Sequence, residues 1–295
     1  MFYKITHYLK LIRVNNWIKN FFVIAPLIFS LKLFIPEATI SILITFFAFC
    51  MSSSFVYVLN DIMDVNKDKM HPRKKNRPIA NGSISIPRAY IMMLLLLILL
   101  IVFILFLNYK TQFIIILYLI FNIIYNLGLK KLNLIESFSI GINFVFRVLG
   151  GCFAIDVLPS HWIIIITFFS ALMLIFIKRK SELKILRSNA TLHRSSLRFY
   201  SVQLLDKFIN ISATIVLFGY ILYTLDPHVI TTFGSPNLFY SSIFVVLGIF
   251  RFIQLSETNK YENEGDPTLL LLKDRFIQYV FVLWLICIIF MIYFK

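Results

Sequence analysis

Charge is scarce in this sequence. Only 15% of its 295 residues are Asp, Glu, Lys or Arg, where an ordinary soluble domain has about a quarter. Acidic residues are scarcest, 14 against 29 basic ones, for a net charge of +15. Cysteine is almost missing. Cys50, Cys152 and Cys287 each lie in or beside an apolar run, without metal-ligand spacing and without a disulfide framework, so buried inert thiols are expected. Ten-residue segments of alternating polarity are absent, which excludes an outer-membrane barrel. The N-terminus lacks a short apolar core followed by small residues, so no removable signal peptide is expected.

What the sequence has in abundance is apolar surface: 59% hydrophobic residues and a mean hydropathy of +0.84. Runs near 20 apolar residues recur along the whole length, the pattern of an all-α polytopic membrane protein. About nine spans are predicted, at about Trp17–Phe34, Thr39–Leu59, Ala89–Leu107, Phe113–Leu127, Leu134–Ile155, Trp162–Ile177, Phe208–Leu225, Leu238–Leu255 and Phe276–Phe294. Residues 1–16 mix Lys4, His7, Lys10 and Arg13 with apolar positions, as an interfacial helix does. Lys and Arg concentrate in the N-terminal arm and in every second loop. This places the N-terminus in the cytoplasm and the C-terminus outside a bacterial inner membrane. It also explains part of the basic excess without nucleic acid. The remainder clusters near carboxylates and suggests phosphorylated substrates.

One polar stretch stands between the second and third spans, from Asn60 to Gly82. It holds Asp61, Asp64 and Asp68, then Arg73, Lys74, Lys75 and Arg77. Spacing of i, i+3, i+7 sets the three carboxylates on one face of a helix continuing from span two. Like charges there destabilise the helix unless a cation lies among them. A hard divalent ion held by few carboxylates, with water and phosphate oxygens completing its shell, is Mg²⁺. Arg77 suits a bidentate grip on phosphate. The alternative is a solvated, mixed-charge loop. His71, followed by Pro72, takes no metal role and marks the helix end. Lys19 either snorkels or points at a phosphate. Arg147 lies in mid-span, and a charge there faces the protein interior. Glu136 is roughly 16 Å away along the same helix, so Arg147 needs a partner on another helix or a phosphate.

Asn60-Asp61-x-x-Asp64-x-x-x-Asp68, with Arg77-Pro78-Ile79 following, resembles the first aspartate-rich motif of the UbiA superfamily of intramembrane prenyltransferases. The resemblance implies a nine-helix bundle around a cavity open to the cytoplasm, holding Mg²⁺ and a diphosphate. It implies one membrane-embedded domain over 1–295, with an interfacial helix over 1–16 and cytoplasmic functional loops over 60–88, 178–206 and 256–275. The family's second aspartate motif is missing. Lys178-Arg179-Lys180-Ser181-Glu182 stands after span six instead, and basic groups bind phosphate directly rather than metal.

That departure resembles one branch, the decaprenyl-phosphate phosphoribosyltransferases. Further matches are Trp17-Ile18-Lys19-Asn20, His71-Pro72-x-Lys74-x-x-Arg77-Pro78-Ile79-Ala80-x-Gly82, Tyr125-x4-Lys130 and Phe146 to Gly151. Lys178-Arg179-x-x-Glu182-Leu183 and Gly265-Asp266-Pro267, with Asp274-Arg275 after it, complete the set. Glu136 stands where the branch often has Asp. The branch joins phosphoribosyl pyrophosphate (PRPP) to a polyprenyl phosphate in the lipid bilayer. By this resemblance Asp61, Asp64 and Asp68 hold the metal, and Asn60 orients a ligand or a ribose hydroxyl. Lys19, Lys74, Arg77, Tyr125, Lys130, Lys178 and Arg179 contact phosphates. Glu182 pairs with these cations or holds ribose hydroxyls. A homo-oligomer is compatible with the pattern. The competing readings are a prenyltransferase acting on an aromatic acceptor and a non-catalytic transporter or lipid-binding protein.

Overall fold

The structure is a computed structural model that describes residues 2–186, 195–257 and 273–294. The described residues are helical and include no strand. They comprise α1 (Phe2–Leu11), a 3-10 helix Val14–Val23, α2 (Ala25–Phe29), α3 (Pro36–Met63), α4 (Val65–Met70), α5 (Ile86–Leu105), α6 (Tyr109–Leu127) and α7 (Ile135–Ala154). Then follow α8 (His161–Leu186), α9 (Val202–Leu225), α10 (Pro227–Phe233), α11 (Ser242–Glu257) and α12 (Arg275–Tyr293). Among the described residues, eight helical segments are long and apolar enough to cross a membrane. They match the predicted spans from the second onwards.

The first predicted span differs. Residues 14–29 form a 3-10 helix and a five-residue α-helix rather than one rod. The three-residue repeat of a 3-10 helix aligns side chains at i and i+3. Trp17, Asn20 and Val23 therefore share an edge, and that edge is fixed by polar groups of α3. Trp17 Nε1 donates to Ser54 Oγ at 3.0 Å. Asn20 Nδ2 donates to Cys50 Sγ at 3.2 Å and Ser53 Oγ at 3.4 Å. Pro26, lacking an N–H, sits in α2 where a long helix would need the donor. Another difference lies after the sixth span. Residues 178–186 belong to α8, whereas a cytoplasmic loop was predicted over 178–206. Its Arg187, His193 and Arg194 lie outside the described residues, as do Gly265, Asp266 and Pro267.

The chain divides into two compact units: Met1–Lys130 with Phe146–Leu158, and Lys131–Val145 with Pro159–Lys295. In the first, α3 packs against α5 and α6 around a core that includes Phe49, Ile42, Leu100 and Ile115. Its helix α5 buries Ala89, Met93, Leu96 and Leu100 and exposes Ile91, Leu94, Leu95, Ile98 and Leu99. An exposed apolar face of that kind suits lipid rather than water. In the second unit α8 packs along α9, and α11 along α12. Asp274 caps α12 by accepting from Ile277 N at 3.0 Å, and Arg251 reaches it at 2.8 Å.

Backbone approaches backbone most closely at Gly151, where a Cβ would meet the Val23 carbonyl oxygen at 2.1 Å. Gly151→Ala should therefore cost roughly 1–3 kcal/mol. Gly128→Ala, where a Cβ meets nothing within 4 Å, should leave stability unchanged. Thermal unfolding of the detergent-solubilised protein checks this, and equal shifts would contradict it. The Arg251 guanidinium beside Asp274 holds that carboxyl below the usual carboxylate range. A carboxyl depressed in the folded state stabilises above its unfolded value, about 3.9, and loses that contribution as pH falls through the lower folded value. The wild-type melting temperature should thus fall more steeply than that of Asp274→Asn between about pH 6 and about pH 3.

Candidate active site

The aspartate stretch begins inside α3. Asn60 and Asp61 lie in its last turn. Helical hydrogen bonding carries on past the junction: Asp64 N donates to Asn60 O and Asp68 N to Asp64 O, each at 2.9 Å. Asp64 itself leaves helical geometry (φ −99, ψ 10), which turns it away from the other two. Asp61 and Asp68 share a face as predicted, and one side chain spans them. Arg77 Nη1 lies 3.0 Å from Asp61 Oδ1 and 2.6 Å from Asp68 Oδ2.

Arg77 can return to α3 because the loop behind it is anchored. Pro78 and Ile79 are buried, Ile84 N donates to Pro78 O at 2.9 Å, and Gly82 takes a left-handed φ of 78 that closes the turn. His71 caps the end of α4. Its Nδ1 accepts from Arg73 N at 3.1 Å and Lys74 N at 3.3 Å, so its role in the structure is to shape the loop.

Asp64 faces the end of α6. Lys130 Nζ lies 2.7 Å from Asp64 Oδ2 and 3.1 Å from Asn60 Oδ1. A third cation comes from the N-terminal arm: Arg13 Nη2 reaches Asp61 Oδ1 at 2.5 Å. Six of the candidate residues (Asn60, Asp61, Asp64, Asp68, Arg77 and Lys130) are thus brought together, with Arg13 added. Asp61 is 2% exposed and Asp68 3%, a depth at which losing a charge partner is costly. Burial pushes the Asp68 carboxyl up, and the charges of Arg77 and Lys74 pull against it without overcoming it. Lys74 is half-buried one turn before Arg77. Tyr125 is half-buried on α6, and Lys19 half-buried on the 3-10 helix.

Arg147 is 4% exposed and held by other helices of its unit, as its distance from Glu136 required. Its Nε donates to Asn20 Oδ1 at 2.7 Å and its Nη2 to the Tyr118 hydroxyl at 3.0 Å, with the guanidinium 5.0 Å over the Tyr118 ring.

The remaining candidates belong to the second unit. Arg179, 2% exposed, lies between Glu136, at 2.8 Å, and Glu182. Lys180, equally buried, is shared by Asp206 at 2.5 Å and Glu257. Lys178 is half-buried. Sequence reasoning missed two features here. Arg13 resembled an ordinary interfacial cation, and its partner lies 48 residues away. Lys180, Asp206 and Glu257 carry no motif, since three helices bring them together.

A model of the UbiA prenyltransferase family matches residues 21–273. The chain belongs to that family. Among UbiA relatives, it is 28% identical over 289 residues to the decaprenyl-phosphate phosphoribosyltransferase of Corynebacterium glutamicum, covering 97% of this chain and 86% of that one. It is 26% identical over 284 residues to the protein of the same name from Mycolicibacterium smegmatis, covering 94% and 89%. A UbiA homologue from Archaeoglobus fulgidus, solved bound to DMAPP and Mg²⁺, superimposes with a TM-score of 0.69 at 16% identity, over 98% of this chain and 99% of that one. That likeness establishes the fold. UbiA membership and the eight apolar helices make this a multi-pass membrane protein and a transferase of the prenyltransferase type.

Three carboxylates cluster at one helix end, which suits a hard ion that takes one or two carboxylates and completes its shell with phosphate and water. Among the described residues no three His, Cys, Asp or Glu converge as a ready cage. Here Arg77 spans the gap between Asp61 and Asp68.

The Glu136–Arg179 pair gives a direct test of burial. Removing one member of a buried pair costs about 3–5 kcal/mol, while replacing both with apolar residues is often neutral. Glu136→Leu and Arg179→Met should each unfold at markedly lower temperature. The double variant should recover most of the loss, and simple additivity of the two losses would refute the pairing.

Proposed function

We propose that this UbiA-family protein transfers 5-phosphoribose from PRPP to a polyprenyl phosphate and releases pyrophosphate. The observation that most supports this reading is the single carboxylate group, Asp61, Asp64 and Asp68, in a chain whose second aspartate motif is replaced by Lys178-Arg179-Lys180-Ser181-Glu182. One diphosphate, carried by the soluble sugar, needs one carboxylate site. The near full-length likeness to proteins named decaprenyl-phosphate phosphoribosyltransferase points the same way.

In this reading Asp61 and Asp64, with Asp68, hold Mg²⁺. The ion, when bound, neutralises charge on the departing pyrophosphate. Arg77, Lys74 and Lys130 orient the diphosphate oxygens, and Asn60 accepts from a ribose hydroxyl. Lys19, Tyr125 and Lys178 serve the remaining phosphates, while Arg179 stays with Glu136 and Glu182. A lipid phosphate oxygen is already anionic at neutral pH, so the step needs no strong general base. Positioning and charge stabilisation carry it. The loop charges support a site on the cytoplasmic side of a bacterial inner membrane, with the N-terminus inside and the C-terminus outside. The product suits a precursor of cell-wall or surface polysaccharide.

A second reading is favoured by the fold. The A. fulgidus neighbour binds DMAPP, so transfer of a prenyl group to an aromatic acceptor competes. Purified protein given labelled PRPP, Mg²⁺ and polyprenyl phosphates of several lengths should form a labelled lipid. Asp61→Ala and Asp64→Ala should each lower that rate by about 10²-fold or more. Absence of labelled lipid at every chain length, with turnover of a prenyl diphosphate and an aromatic acceptor, would overturn the assignment.

A further inference from the structure

Asp61 offers one carboxylate oxygen to two guanidinium groups, Arg13 at 2.5 Å and Arg77 at 3.0 Å. The function proposed above gives Arg13 no task. Its backbone is nevertheless held in the left-handed region, φ 53 and ψ 53, which a side chain of this size rarely adopts. Three contacts independent of Asp61 keep it there. Ser54 Oγ donates to the carbonyl of Ile12 at 2.9 Å. Trp17 Nε1 donates to the same Ser54 at 3.0 Å. The guanidinium lies 4.6 Å above the Tyr57 ring, one helical turn before Asp61. Arg13 is therefore placed over the end of α3 whether or not Asp61 receives it, and at 21% side-chain exposure it still reaches solvent.

Each carboxylate of the cluster is held by a cation, and the charge of Lys74 acts on Asp68 as well. Arg13, Arg77 and Lys130 face Asp61, Asp64 and Asp68. A divalent ion entering alone would take carboxylates from cations already holding them, leaving those cations crowded around added positive charge. A diphosphate entering alone would meet carboxylates at close range. Entering together, the two remove both conflicts, because the arginines turn to the phosphate oxygens as the carboxylates turn to the ion.

We infer that Arg13 is a further diphosphate-binding residue of this site, and that it makes divalent-ion binding and diphosphate binding depend on each other. The inference rests on the reading of the aspartate stretch as a magnesium-diphosphate site, and not on the identity of the group transferred. Arg13 holds Asp61 while the site awaits ligand, then passes its N–H donors to a phosphate oxygen. Its competition with the ion and its attraction for the anion have opposite signs, which a purely structural tether lacks.

Calorimetric titration of the solubilised full chain separates the cases, with Mg²⁺ alone, inorganic pyrophosphate alone, and pyrophosphate in saturating Mg²⁺. In the wild type each ligand should strengthen the other, reciprocally. Arg13→Gln should bind Mg²⁺ alone about tenfold more tightly and Mg²⁺-pyrophosphate about tenfold more weakly, the scale of one charge-assisted hydrogen bond. Arg13→Lys, which keeps the charge, should restore part of both effects and serves if the Gln variant folds poorly. Parallel weakening of both ligands in Arg13→Gln, or unchanged affinities with only a lower melting temperature, would overturn the role of Arg13. Absence of mutual strengthening in the wild type would overturn it too. Because the probe is pyrophosphate, failure of PRPP to yield a labelled lipid would remove the phosphoribosyl assignment and leave this result standing.

Discussion

The fold depends on one constraint: a carboxylate or a cation that leaves water at a membrane helix end must find its opposite. An isolated buried charge costs far more than the few kcal/mol by which proteins are stable. Asp61, Asp68, Glu136, Arg179 and Lys180 are all nearly inaccessible, and all five have an ion-pair partner. The Arg77 bridge between Asp61 and Asp68 shows how much follows from this. It requires the α4 turn to hold Asp68 toward Asp61, and the Pro78–Ile84 anchor to return the loop. The path of residues 64–85 is shaped by the need to neutralise two carboxylates.

The two units meet the constraint differently. In the first, the cations remain partly in contact with water: Arg13 is 21% exposed, Arg77 23% and Lys130 17%. Cations at that depth can leave a carboxylate for an incoming anion without becoming stranded. In the second, Arg179 and its partner Glu136 are 2% and 0% exposed. Exchange there would abandon a buried Glu136, a loss of the order that breaking a buried pair entails. The residues with chemistry to spare are those whose pairing is incomplete in burial, and they are the ones around Asp61.

Much of this was legible in the sequence, for reasons that can be named. Apolar runs in a bilayer favour helices, so the spans from the second onwards were readable, with ends off by a few residues and by nine at the end of the sixth. The i, i+3, i+7 aspartates were readable as a group because helical spacing is local. Their partition was not, since the turn of Asp64 toward Lys130 depends on φ and ψ at one residue and on a helix 66 positions away. The first span was misread because hydropathy registers Phe21, Phe22 and Val23 but not the polar edge of Trp17 and Asn20 against Cys50, Ser53 and Ser54. Arg13 was invisible because positive charge near a membrane start has a common explanation.

The basic run 178–180 shows best what a helix does to a motif. In the linear sequence Lys178, Arg179 and Lys180 form one patch of three positive charges. On α8 successive residues point about 100° apart, so the patch disperses. Arg179 turns to Glu136 on α7, and Lys180 to Asp206 on α9 and Glu257 at the end of α11. Lys178 stays half-buried. The second unit thus uses two of the three charges to join four helices at one level. Glu182 follows Arg179 by three residues on the same helix face and pairs with it. The basic run 178–180 therefore contributes to the architecture of the unit through its ion pairs.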